Sequence, residues 1–231
     1  MTTELHGRLQ IRPARTPQEC LATAQLACQT LHEACRGEPW AQHPAPDSAI
    51  ELALAASLTV AAWRGEQPVA TASIHRRDPA RARADRTDYG LPCERVATIR
   101  PGAFGSAELV HGSYAACLRP WRGLGLLDRI LDALCAATRD CAVLTVAATW
   151  LRTPGEAAGL WARLAQSNPQ AGRRVLARDP HTSVAGHRPV DGPIPWLIAY
   201  YRRVGFELAG EPIFMKAYGM YALPMVLPPR A

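Results

Sequence analysis

Arg119-Pro120-Trp121-Arg122-Gly123-Leu124-Gly125-Leu126-Leu127 is the stretch on which the fold turns. An arginine and two closely spaced glycines stand between a strand-like segment and a helix-like one that runs to Arg139. Glycine tolerates the backbone that a tight turn demands and lets the main chain approach a ligand closely. The first turn of the following helix leaves N–H groups without intrahelical acceptors, at the positive end of the helix dipole. Such a corner is suited to a phosphate or pyrophosphate.

Working outward, Ala107 to Leu118 reads as a strand, with Gly112 near its middle marking a bulge or a close backbone approach. On the other side, Leu127, Ile130, Leu131, Leu134 and Cys135 line one helix face, and Asp128, Arg129, Asp132 and Arg139 lie outside it. Ala142 to Ala148 is an apolar strand of the kind found inside a sheet. Gly155 to Gln166 reads as an accessory helix, and Trp196 to Val204 as a short helix stopped by Gly205. Phe206 to Leu208 and Tyr221 to Leu227 are the last two strands, Pro224 placing the final one at an edge or beside a bulge.

Towards the N-terminus, Leu9 to Pro13 is a short strand. Thr16-Pro17-Gln18-Glu19 is a capping box with proline at the first helical position. Leu21, Ala24, Cys28, Leu31 and Cys35 then repeat at helical steps, with Gly37 as terminator. Ser48-x-x-Glu51 opens a shorter helix to about Ala56. Ser57 to Trp63 and Pro68 to His75 form a hairpin around Arg64-Gly65-Glu66-Gln67. Two polar, Pro/Gly-rich segments complete the chain, Arg77 to Ser106 (with a short strand at Val96 to Ile99) and Asn168 to Pro195. Loops of that length in a compact domain are commonly functional. The pattern is mixed α/β in one domain over residues 1–231.

Composition narrows the function class. With 48% hydrophobic and 20% charged residues among 231, the chain is globular, not disordered. The most apolar segment, Ala49 to Trp63, is interrupted by Glu51 and too short to span a bilayer, and no secretory signal is evident. A cytoplasmic protein is expected. The cysteines number seven and form no C-x-x-C pair, which suits a reducing compartment and argues against a metal site. A net charge of +6 fits an acidic carrier protein or a phosphorylated ligand. Nucleic acid is disfavoured, because the arginines are scattered without interleaved aromatics.

Two motifs in this order resemble the GNAT superfamily of acyl-CoA-dependent N-acyltransferases. Arg122-Gly123-Leu124-Gly125-Leu126-Leu127 matches the family's R/Q-x-x-G-x-G/A pyrophosphate loop except at Leu127, where a small residue is usual. Ala199-Tyr200-Tyr201-Arg202-Arg203-Val204-Gly205-Phe206 is similar to its A-x-x-F/Y-Y-x-x-x-G-F helix-to-strand segment. The resemblance implies a central mixed sheet of about seven strands flanked by helices, with two long polar insertions. The tail, Gly210-Glu211-Pro212 through Pro224-Met225-Val226-Leu227, resembles the branch that makes N-acyl amino acids and acyl-homoserine lactones. That branch's E-x-x-R on the fourth strand is absent here.

The resemblance also implies a mechanism. An amine attacks a thioester carbonyl, so the site needs a base, a polarised carbonyl and an acid for the departing thiolate. The donor is acyl-CoA or acyl carrier protein, a substrate and not a resident cofactor. By this likeness Leu124, Gly125, Leu126 and Leu127 supply main-chain amides to the pyrophosphate. Arg119, Arg122 and Gly123 lie beside it, and Cys117 and Leu118 lie along the thioester arm. Tyr201 aligns with the tyrosine that protonates the leaving thiolate, its ordinary pKa near 10 being close to that of a thiol. His111 occupies the position of the family's carboxylate base, Glu108 is the alternative on the same strand, and bound water is the rival to both.

Ser113 lacks a G-x-S-x-G setting, so covalent serine catalysis is not expected. The acceptor is a small-molecule amine whose pocket the polar segments would build, or the second of these segments could instead serve a homodimer. The sequence admits two other readings. One is a non-catalytic GNAT-fold module that binds acyl thioesters and regulates or scaffolds a partner. The other is a dinucleotide-binding protein, disfavoured by the missing third glycine and acidic partner.

Overall fold

The structure, a computed structural model, describes residues 9–36, 46–166 and 174–229, with side chains undescribed at 35 and 36. The early elements are β1 (Leu9–Pro13), α1 (Pro17–Arg36), α2 (Asp47–Leu54), β2 (Leu58–Arg64), β3 (Gln67–His75), α3 (Pro79–Asp85) and β4 (Ala97–Ile99). They are followed by β5 (Glu108–Cys117), α4 (Leu126–Ala137), β6 (Cys141–Ala148), α5 (Pro154–Ala165) and β7 (Val175–Ala177). The chain closes with α6 (Trp196–Val204), β8 (Glu207–Leu208), β9 (Ile213–Met215) and β10 (Met220–Leu227). This is a mixed α/β architecture, divided into two compact units, each drawn from two stretches of the chain.

One unit comprises Met1–Arg76 and Gly112–Arg139. Its strand order is β1-β2-β3-β5, to which β5 gives its C-terminal half. The expected hairpin forms with Arg64 opposite Gln67, and Gly65 takes φ +59° in a two-residue turn. β1 adds antiparallel, Leu9 facing Arg64. β3 is buried from Val69 to His75 because α1 and α4 both pack on it. Thr16 Oγ1 caps α1 by accepting from Glu19 N at 3.2 Å. The Glu19 carboxylate turns back to Arg12 at 2.6 Å and to Arg15 N at 2.5 Å. These contacts, Arg12 first, hold its pKa at about 2.

The deepest face of α1 is Thr23, Ala24, Leu26 and Ala27, with Leu21, Cys28 and Leu31 half-buried at its margin. The buried stripe is therefore rotated from the expected one. Gly37 and the Cys35 side chain lie outside the described residues. At α2 the Ser48 capping box does not form. The helix starts at Asp47 after Pro46, with no side-chain cap.

The other unit comprises Arg77–His111 and Asp140–Ala231. Its order is β5-β6-β10-β8, with β9 also on β10, and β4 pairs β7 in a separate ribbon. The segment expected to be a long loop is ordered instead. Asp78 Oδ1 accepts from Ala80 N and Arg81 N and starts α3, and Ala97 to Ile99 pairs with Val175 to Ala177. Its anchor is Glu94, 3% exposed, whose carboxylate accepts the main-chain N–H groups of Asp88, Tyr89 and Leu91. Ile99, Leu144, Val175, Ala209 and Ile213 form the core behind it.

Pro224 does not lie on an edge strand, since β10 pairs β6 on one side and β8 and β9 on the other. Its carbonyl accepts Ala209 N, so its missing donor faces the side where β9 has ended at Ala222 and β8 begins at Met225. α5 has the capping box Thr153–Glu156 and lies tight against Val190, where Gly159 leaves no room for a Cβ. Among the described residues, no helix is long and apolar enough to cross a membrane, and no His/Cys/Asp/Glu group could hold a metal ion.

Candidate functional site

The glycine corner lies in the first unit. β5 ends at Cys117, and Arg119–Trp121 makes one 3-10 turn whose Trp121 is buried and fixes the exit direction. Gly123 at φ +82° and Gly125 at φ +68° then turn the chain into α4. No L-residue adopts both angles without strain. Gly125 is the N-cap, and no side chain satisfies the first-turn amides of α4 from that position. Arg122, Gly123 and Leu124 are exposed, and a Cβ at Gly123 would meet nothing within 4 Å. The backbone donors therefore sit on an open surface.

Arg122 Nε donates to Cys117 O at 3.0 Å, tying the corner to the end of β5 with one of its five donors. The other arginine, Arg119, opens the 3-10 turn and is exposed. Leu126 is buried in α4's inner face and Leu127 is half-buried beside it. The bulky residue at 127 is thus partly covered, and its main-chain N–H stays in the first turn of α4. Asp128, also in that turn, is exposed and brings an Oδ2 to 3.9 Å from where a Cβ on Gly125 would stand. Cys117 is buried and its Sγ donates to Leu118 O at 3.6 Å. Burial raises its thiol pKa against a smaller pull from Arg122, so it is not a neutral-pH nucleophile.

The acid–base candidates lie in the second unit. Tyr201 is 5% exposed on α6, with Phe206 edge-on at 4.9 Å and Tyr200 at 5.9 Å. Gly205, at φ +106°, ends the helix, and Phe206 N returns to Tyr201 O at 2.9 Å, which locks the aromatic pair. Burial pushes the Tyr201 phenol up to about 12, against a smaller opposing pull from its hydrogen bond with Thr145 of β6. Thr145 was not singled out from the sequence, although it is the one polar residue in the apolar run CAVLTVAA.

Glu108 is exposed at the start of β5 and accepts from Cys141 Sγ at 3.7 Å. Cys141 and Thr145 point to one face of β6, roughly 13 Å apart along it. Glu108 and Tyr201 therefore share a face but lie at different levels. His111 is 7% exposed and stands an odd number of residues further along β5, which turns it to the other face.

No family model and no curated protein matches the sequence. Solved structures do match. FeeM, an N-acyl amino acid synthase from uncultured soil microbes, superposes with a TM-score of 0.53 at 13% identity, over 95% of this chain and 90% of its own. The loading GNATL domain of CurA from Lyngbya majuscula does so with 0.52 at 12% identity, over 95% and 97%. The chain has the GNAT fold. A histone acetyltransferase HPA2-related acetyltransferase from Corynebacterium glutamicum is similar at 19% identity over 96% of this chain and 97% of its own, with a TM-score of 0.49. Within the GNAT fold, the corner after β5 is the turn that the sequence resemblance marked for the donor's pyrophosphate.

Proposed function

We propose that the chain is one GNAT-type N-acyltransferase domain. It would move an acyl group from acyl-CoA, or from an acyl carrier protein, to the amine of a small molecule by direct attack. The observation that carries this reading is the open corner Gly123-Leu124-Gly125 at the start of α4, on a GNAT fold. There the amides of Leu124, Gly125, Leu126 and Leu127 would bind the pyrophosphate, with Arg119 and Arg122 supplying charge. The main chain of Cys117 and Leu118 would guide the pantetheine arm.

Tyr201 would act on the departing sulfur. A phenol at about 12 stays protonated at neutral pH, so it is always available to donate. Handing the proton over completely to a thiolate of ordinary pKa, about 8.5, is uphill by on the order of 5 kcal/mol. Its role is therefore hydrogen-bond stabilisation of the developing thiolate, which takes its proton from solvent afterwards. His111 and Glu108 are the two candidates for the base that takes the amine proton. The likeness to FeeM, an N-acyl amino acid synthase, favours an amino-acid-like acceptor.

The test is a donor and acceptor screen, with acetyl-CoA, long-chain acyl-CoA and acyl carrier protein offered with a panel of amines. Stoichiometric free thiol and amide product support the transferase. Donor binding without thiol release would instead leave a non-catalytic thioester-binding module.

A further inference from the structure

We propose that His75 and Ser113 form a base–nucleophile pair that accepts the acyl group of a thioester on Ser113 Oγ. This would give the chain a second activity, hydrolysis of its donor when no amine is present. His75 Nε2 and Ser113 Oγ share a hydrogen bond of 2.8 Å between residues 38 apart in sequence. The imidazole is 1% exposed at the end of β3, and the hydroxyl is half-buried on β5. A shielded base touching a reachable hydroxyl is the arrangement a serine nucleophile needs. Direct amine transfer uses neither group.

The contact depends on an irregularity in β5. Leu118 N bonds to Val69 O at 3.0 Å, and a regular antiparallel register from that pair would set Ser113 opposite Ile74. Ser113 and His75 would then point to opposite faces of the sheet. Tyr114, at φ +55°, takes up the extra residue and turns Ser113 to His75. A left-handed tyrosine costs about 1–3 kcal/mol and persists only where its surroundings hold it. Here the ring packs with Leu26, Ala27 and Ala116, and its hydroxyl donates to Ala49 O at 3.4 Å. The strain is fixed from outside the pair, so the serine is pre-aimed.

The substrate class follows from position, and this step rests on residues 122–127 being the donor's phosphate site. Ser113 precedes Cys117 on the same strand by roughly 13 Å, a span that an extended pantetheine arm covers. With His75 carrying its proton on Nδ1, Ser113 Oγ–H donates to Nε2. Oγ attacks the thioester carbonyl as Nε2 takes the proton, the C–S bond breaks, and Nε2 protonates the thiolate. The products are free thiol and an acyl ester on Ser113. Water then attacks the ester as Nε2 takes its proton, the C–O bond breaks, and the proton returns to Oγ. The net reaction is thioester plus water to carboxylic acid plus thiol.

The experiment uses the full chain without amine, treated in separate arms with acetyl-CoA and with p-nitrophenyl acetate. Acid-quenched intact mass, peptide mapping and released thiol or nitrophenol are read. The expected result is one acetyl group on the peptide holding Ser113 and slow repeated thiol release. Ser113→Ala should lose both, and His75→Asn should slow acylation about 100-fold or more. Ser113→Cys, which keeps the side chain's shape, should move the adduct to a hydroxylamine-labile thioester at the same position. If neither donor marks residue 113 in wild type or Ser113→Cys while acetyl-CoA still binds and acylates amines, the pair is overturned and the transferase reading stands. Labelling of Ser113 by p-nitrophenyl acetate without any binding of acetyl-CoA would support the nucleophile and overturn the donor site.

Discussion

Replacing Gly125 by Asp, with Gly125→Ala as its control, separates the phosphate-binding role of the corner from its folding role. Both variants force an L-residue into φ +68°, at a cost of about 1–2 kcal/mol in stability. Neither meets a steric wall, because the nearest atom to the new Cβ is Asp128 Oδ2 at 3.9 Å. They differ in charge. The aspartate variant brings a second carboxylate beside Asp128 and faces the two charges of a pyrophosphate. A pair of unit charges at 4 Å interacts by about 1 kcal/mol in water and about 4 kcal/mol at an effective dielectric of 20. For this exposed corner, a repulsion of roughly 2–4 kcal/mol predicts about a 30- to 700-fold weaker donor than Gly125→Ala shows.

Isothermal calorimetry with CoA at low and moderate salt reads that difference, which should shrink as salt screens it. Acyl-pantetheine, which lacks the pyrophosphate, should serve both variants equally. Equal CoA affinity for the two variants would refute a phosphate at residues 123–127.

Other perturbations test other parts of the structure. Tyr201→Phe should lower kcat by at least tenfold with KM for the donor nearly unchanged, and unchanged turnover would remove Tyr201 from the mechanism. The same variant should lose less stability between pH 10 and pH 12. The folded phenol keeps its proton to about 12 and the unfolded one to about 10, so folding weakens as pH rises through that window. Glu94→Gln places an amide N–H against the main-chain donors it now accepts, and should cost about 1–3 kcal/mol in chemical denaturation. Gly159→Ala would set a Cβ 2.0 Å from Val190 O, a main-chain atom, and should lower Tm by far more than Gly125→Ala. The stabilisation from Arg12–Glu19 is present above pH 4.5 and lost as pH falls towards 2. A Glu19→Gln variant should therefore be weaker than wild type at pH 6 and equal to it at pH 1.5.

The elements most legible in the sequence are those whose signals are local. The β2–β3 hairpin is announced by its glycine turn, α4 by its apolar stripe and glycine corner, and α6 by Gly205 at its end. The misread elements are those that a partner creates. α3 is PARARAD, which has no apolar periodicity, and only the Asp78-Pro79 cap signals it. β7 and β9 are three-residue strands defined by what they pair with, Ala97 to Ile99 and Met220 to Ala222. Pro224 reads as an edge signal, yet it sits in an interior strand because two short strands leave a gap opposite it.

The site divides in the same way. The glycine turns within 119–127 and at Gly205 beside Tyr201 were readable as local structure, because glycine and aromatic spacing carry them. The Thr145 partner of Tyr201 and the meeting of His75 with Ser113 were not. The first depends on how α6 lies on β6, and the second on a left-handed tyrosine. Gly112 did mark the neighbourhood of the irregularity, which falls at Tyr114 instead.

A crystal structure of the chain with CoA bears most directly on whether the corner grips the donor. The expected result is pyrophosphate oxygens about 2.7–3.2 Å from the main-chain N–H groups of Leu124 to Leu127, with the pantetheine arm running back along β5 towards Ser113. A CoA bound elsewhere, with the Asp128 carboxylate occupying those amides, would contradict it.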